Sequence, residues 1–101
     1  MWIVVMFDLP TDTREAKKAY ALFRKRLLQD GYSMMQFSVY IRHCPSHQKR
    51  DVHIRRIESW VPGDGEVRVF TLTDKQFEAM RVFWGTRRKP QPSAPAQLEF
   101  F

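Results

Sequence analysis

Apolar and polar positions change period several times along this chain, and each change marks an element. Residues 2–8 are a run of β-branched and aromatic side chains closed by Leu9 and Pro10, which predicts a strand. Trp2, Val4 and Met6 alternate with Ile3, Val5 and Phe7, so both faces of that strand are apolar. Asp12 with Glu15 three residues on has the pattern of a capping box and predicts a helix start. Ala16, Ala19, Tyr20, Phe23 and Leu27 then recur at helical spacing until Gly31 supplies a stop. Residues 33–41 alternate without interruption and read as one second strand. Pro45 and Ser46 open a second helix with Ile54, Ile57 and Val61 as its stripe, broken by Pro62-Gly63-Asp64-Gly65. Residues 66–73 read as a third strand, Thr73 caps a short helix through Met80 with Phe77 and Met80 inward, and residues 81–85 read as a short fourth strand.

Taken together this predicts an α+β protein on the ferredoxin-like β-α-β-β-α-β plan, with one extra helical turn before the last strand. The helices should cover one face of an antiparallel sheet and leave the other bare. A first strand apolar on both sides then needs a second cover, and a copy of the same sheet related by a two-fold axis supplies one. The expected state is a homodimer. Residues 1–85 form the domain, and residues 86–97 are a basic, Pro-rich linker. Leu98, Phe100 and Phe101 make residues 98–101 apolar again, either a C-terminal edge strand docked on a neighbouring sheet or a frayed end.

Composition narrows the class. At 101 residues and 44% hydrophobic, the chain builds one modest core and no multidomain enzyme. Its longest apolar run, residues 1–7, is too short to cross a bilayer and lacks the flanks of a signal peptide, so no membrane association is expected. A single cysteine, Cys44, suits a reducing compartment, and a cytoplasmic location is expected. Seventeen Lys and Arg against eleven Asp and Glu give +6, and the excess is clustered. Residues 14–26 and 42–56 each hold one acid among five or six cations, and Arg87, Arg88 and Lys89 follow without an acid beside them. Such clusters are the footprint of a phosphate-backbone binder or simply a solvated surface. Arg14, Lys18 and Lys25 share a narrow arc of the first helix and suit phosphate contacts, which position a nucleic acid without reading its sequence.

Among residues with chemistry to offer, Asp8 stands out. An acid closing an apolar strand needs a partner, solvent or a metal. It shares a face with Trp2, Val4 and Met6, so a two-fold axis through that face would bring two Asp8 carboxylates together, a minimal Mg²⁺ site. The plainer alternative is that Asp8 receives hydrogen bonds from the turn that follows. Tyr32, Tyr40, Trp60 and Trp84 have the chemistry to stack on bases, and packing explains them equally well. His43, Cys44, His47 and His53 lack the spacing of a structural zinc site.

Several blocks carry a resemblance. Val5-Met6-Phe7-Asp8-Leu9-Pro10-Thr11, Lys17-Lys18-Ala19-Tyr20, Phe23-Arg24, Leu28 with Gly31, Gln36-Phe37-Ser38-Val39-Tyr40, and Thr73 with Lys75-Gln76-Phe77 resemble the CRISPR-associated protein two family, in the flavour found in type II systems. The resemblance implies a ferredoxin-like homodimer in spacer acquisition, bridging dimers of the CRISPR adaptation integrase and holding incoming double-stranded DNA. It implies phosphate contacts by basic side chains, here Arg14, Lys17, Lys18, Lys25, Arg87 and Arg88. Members have also been described as metal-dependent endonucleases acting on RNA or DNA, with the acid that ends strand one as Mg²⁺ ligand and catalytic residue. That acid matches Asp8. Some nuclease-active members resemble Phe-Tyr-Asp where this chain has Met6-Phe7-Asp8, so a tyrosine hydroxyl is missing here. A toxin-type ribonuclease dimer of the same fold is the remaining alternative.

Overall fold

The computed structural model describes residues 1–86. Strand β1 (Trp2–Asp8) stands as its composition predicts. Helix α1 (Arg14–Gln29) starts one residue later than expected. Thr13, not Asp12, is its N-cap: Thr13 is extended, and its hydroxyl accepts the Ala16 N–H at 3.0 Å. Glu15 then lies in the first turn, where the helix dipole favours an acid. At the other end Gly31 takes φ +91°, and the Gly31 and Tyr32 N–H groups close back onto the carbonyls of Leu28 and Leu27. That is a Schellman stop, and it demands the left-handed conformation that glycine adopts freely.

The expected single strand over residues 33–41 is two strands, β2 (Ser33–Gln36) and β3 (Val39–His43), folded into a hairpin at Phe37 and Ser38. No glycine or asparagine marks this turn. Ser38 itself adopts φ +61°, held by tertiary bonds: its carbonyl accepts the Phe7 N–H at 3.1 Å, and its hydroxyl meets the Tyr20 hydroxyl at 3.1 Å. A bulge between Met34 and Gln36 offsets the register, so uniform alternation conceals a reversal of direction. This reversal supplies the second of the paired strands that the ferredoxin-like order requires.

Helix α2 (His47–Trp60) is capped by Ser46, whose hydroxyl accepts the Lys49 N–H at 3.2 Å. Its stripe is Ile57 with His53 fully inside; Ile54 is half-buried, and Val61 lies outside the helix and exposed. Strand β4 (Glu66–Leu72) follows, and Thr73 caps α3 (Asp74–Glu78) through a reciprocal capping box with Gln76. That helix ends before Met80, which is exposed. The expected strand over residues 81–85 does not form. Both sides of β1 are occupied within the chain, by β3 and β4, and the apolar side chains of that segment stay exposed, Phe83 at 84%. Residues 87–101, with the expected linker, the docking segment and Arg87 and Arg88, lie outside the described residues.

The four strands form one antiparallel sheet in the order β2-β3-β1-β4. Ile3, Val5 and Phe7 face Phe23 and Leu27 of α1 and Ile57 of α2 in the main core. Each such side chain contributes about 1.5–3 kcal/mol by leaving water. The other face is not wholly bare. Phe77 of α3 stacks on Trp2 at 4.2 Å, covering one end, while Met6 and Phe70 remain exposed toward the other. Among the described residues no helix is long and apolar enough to cross a membrane.

Candidate functional site

Asp8 sits exposed at the end of β1, on the face that α1 and α2 leave uncovered. The chain returns over it at Gly65, whose φ of +96° and close approach leave no room for a side chain: a Cβ there would stand 2.7 Å from the Asp8 carbonyl oxygen. Asp8 pairs in register with Glu66, so two carboxylates face each other across β1 and β4. Glu66 is held by Arg68, Nε to Oε1 at 2.6 Å, whereas the ion pairs among the described residues leave Asp8 out. Sequence reasoning misses Glu66, whose only signal is its place directly after the glycine turn. Within the described residues no three acidic, histidine or cysteine side chains gather as a metal site. The described residues of one chain therefore offer a carboxylate pair at this end of β1.

Arg14, Lys17, Lys18 and Lys25 are exposed on α1 and take part in no ion pair among the described residues. The second basic cluster is different. Arg56 Nη1 donates to Asp30 Oδ1 at 2.7 Å, His53 Nδ1 meets Asp30 Oδ2 at 2.9 Å, and Arg42 donates to the Asp30 carbonyl. Arg50 pairs with Asp51. Arg42 and Arg56 thus tie the end of α1 to β3 and α2, while Lys49 and Arg55 are exposed and take part in no ion pair among the described residues. Tyr32, close to the same carboxylate, is buried with its hydroxyl lacking a hydrogen-bond partner; burial first, and then the Asp30 charge, hold its pKa well above the usual phenol value.

The histidines and cysteine do not converge. Cys44 is fully buried with Sγ against the Ser46 carbonyl at 3.3 Å, His53 serves Asp30, and His43 lies 3.5 Å from Asp74. Of the aromatic candidates, Tyr32 and Tyr40 are core residues and Trp60 packs against the core. Trp84 is exposed, and so is Phe37, which alternation alone places in a strand. A groove of about 500 Å³ runs between the start of α1 and the Pro62–Asp64 turn. Asp12, Glu15 and Asp64 line it, the wrong sign for a phosphate.

The family described as CRISPR associated protein Cas2 matches residues 1–80. A protein of Parvibaculum lavamentivorans named CRISPR-associated endoribonuclease Cas2 is 54% identical over 101 residues, the whole of both chains. One of the same name from Flavobacterium psychrophilum is 46% identical over 101 residues, all of this chain and 88% of that one. A crystal structure of Streptococcus pyogenes Cas2 at pH 6.5 superposes with a TM-score of 0.61 at 17% identity, covering 83% of this chain and all of the other. That likeness carries the fold alone, the one the sequence predicts.

Proposed function

This chain belongs to the CRISPR associated protein Cas2 family, and from that premise we propose that it is a metal-dependent endoribonuclease whose centre forms where the Asp8 residues of two copies meet. The observation that carries this reading is the exposed Asp8 carboxylate, which has no cationic partner among the described residues and closes a half-covered apolar face that includes Met6 and Phe70. Pairing two such faces buries the apolar side chains and gathers the acids at one end. The relatives are named endoribonucleases, which supports the reaction class.

The donor chemistry suits Mg²⁺, which takes one or two carboxylates and completes its shell with water and substrate phosphate. Asp8 and its copy would hold the ion, with Glu66 beside each. A bound Mg²⁺ polarises a phosphoryl oxygen and makes a bound water more acidic. Asp8 fixes the position of that charge, and the Gly65 turn fixes the backbone of Asp8. Lys17 and the other unpaired cations of α1 draw the phosphate backbone toward the protein. The test is cleavage of single-stranded RNA with Mg²⁺ by wild type and Asp8→Asn, with molar mass measured for both. We expect at least a hundredfold loss at an unchanged dimer mass; undiminished cleavage removes Asp8 from the site.

A second reading rests on the unpaired cations of α1. It makes the protein a DNA-binding scaffold of CRISPR spacer acquisition that bridges the adaptation integrase and holds the duplex, with residues 86–97 as linker and 98–101 as docking segment. Charge reversal of Arg14 and Lys18 should then weaken duplex binding and flatten its salt slope by about one for each phosphate the protein ceases to neutralise, while Asp8→Ala should integrate spacers normally. Failed integration by a dimeric Asp8→Ala overturns the scaffold as a sufficient account. Either activity belongs in the cytoplasm, where Cys44 stays reduced.

A further inference from the structure

Phe37 lies at the tip of the β2–β3 hairpin with 82% of its surface exposed. The turn that carries it is firmly held. Its neighbour Ser38 is fixed at both ends, by the Phe7 N–H on its carbonyl at 3.1 Å and by the Tyr20 hydroxyl on its side chain at 3.1 Å. A rigid turn that displays a large aromatic forgoes the burial that a core position would supply.

Its place in the fold says what the display serves. Phe7 directly precedes Asp8, so the Phe7–Ser38 bond sets the hairpin tip beside the end of β1 where the carboxylate is exposed. Tyr20, bonded to the same turn, sits on α1 between Lys17 three residues before it and Arg24 four residues after it, positions that share one side of the helix. Neither cation is in an ion pair among the described residues. One end of the sheet thus joins an exposed aromatic, two free cations and a carboxylate. Base stacking with electrostatic tracking of the backbone is how proteins hold unpaired strands.

We infer that Phe37 is a stacking platform for an unpaired nucleobase, which positions a single-stranded nucleic acid along Lys17 and Arg24 at the end of the sheet that carries Asp8. The inference deepens the endoribonuclease reading and rests on it for the role of Asp8. It names the side chain that would distinguish strand state: a base in a duplex has both faces occupied by its neighbours, so Phe37 favours single strands and tolerates any base.

The experiment compares full-length wild type with Phe37→Ala, Phe37→Leu and Phe37→Trp. Binding of a fluorescein-labelled single-stranded RNA, and of the duplex made from it, is followed by anisotropy in EDTA, where nothing is cleaved. Phe37→Ala should weaken single-strand binding about tenfold, within the range one aromatic–base stack supplies, and leave the duplex unchanged. Phe37→Leu should remain weak, because bulk without a π-face does not stack, and Phe37→Trp should restore binding. Equal loss on both ligands, no loss on either, or a fall from dimer to monomer mass in Phe37→Ala overturns the inference; the last would make Phe37 a contact between copies. Asp8→Asn, measured in this binding assay and separately for RNA cleavage with Mg²⁺, separates the two claims. If it still cleaves, the Asp8 reading fails whatever Phe37 does. If it binds but does not cleave while Phe37→Ala binds normally, the stacking platform alone fails.

Discussion

Asp8 and Glu66 stand opposite each other across the β1–β4 ladder, and among the described residues only Glu66 of the two has a cation against it, Arg68 at 2.6 Å. Like charges directly opposite on a sheet are unfavourable, by a few tenths to about 1 kcal/mol. A fold with no use for Asp8 would gain by replacing it.

That gives the first prediction. Asp8→Asn should raise the melting temperature in the absence of divalent cations by roughly 1–5 °C, as expected for a domain of this size. The wild type should recover the difference when Mg²⁺ is added, and the variant should not respond. Thermal unfolding with and without Mg²⁺ reads both. A fall in melting temperature on removing the charge would mean that Asp8 is held by a favourable contact and is structural.

Asp30 is the opposite case, an acid that the fold uses fully. Its side chain is 13% exposed and bridges His53 and Arg56 of α2 to the end of α1. Asp30→Asn leaves donors on two sides facing an amide and should cost about 2–4 kcal/mol in urea unfolding. Arg56→Ala removes a half-exposed partner and should cost about 1 kcal/mol or less. Arg56→Ala should also leave the salt slope of nucleic-acid binding unchanged, unlike reversal of Arg14 and Lys18. A slope that falls with Arg56→Ala would place Arg56 on the binding surface.

Asp74 makes the packing of α3 sensitive to acid. The N-terminal ammonium 3.0 Å away, and His43 beside it, hold its carboxyl below the usual value of 3.8. A depressed carboxyl contributes stability above its unfolded pKa and loses it as pH falls through the folded one. The Trp2–Phe77 stack that α3 makes on the sheet should therefore loosen below about pH 4, before the core melts. Near-ultraviolet circular dichroism follows the loosening. In Asp74→Asn the aromatic signal should be weaker at neutral pH and flat across the same range.

The helices and three strands are legible in the sequence because each has its own period or cap: Thr73 with Gln76, Ser46, Gly31, and the apolar run of β1. The hairpin is concealed, because Ser38 enters the left-handed region only through bonds to Phe7 and Tyr20, residues distant in the chain. The strand expected over residues 81–85 does not form although β2 and β4 are edges of the sheet, because alternation states that a segment can pair and not that it does. Asp8 is legible as an acid ending an apolar strand. Glu66 becomes visible only through the register that sets it opposite, and Phe37 only once the turn is known. The charge count treats both basic clusters alike, since summation does not show that an internal carboxylate, Asp30, already holds Arg56.

Two glycines two residues apart give the sharpest test of how the fold presents Asp8. Gly63 has open space where a Cβ would go, so Gly63→Ala should be neutral or slightly stabilising, by up to about 1 kcal/mol through a less flexible unfolded chain. At Gly65 a Cβ would fall 2.7 Å from both the Asp8 carbonyl oxygen and the Leu9 side chain, at φ +96°. Gly65→Ala carries the left-handed penalty of about 1–2 kcal/mol in addition to that clash. The clash is relieved most directly by moving the end of β1. Gly65→Ala should therefore lower RNA cleavage more than its loss of stability accounts for, at temperatures where the protein remains folded. Cleavage that tracks the folded fraction alone would show that the turn supports the sheet without setting the position of Asp8.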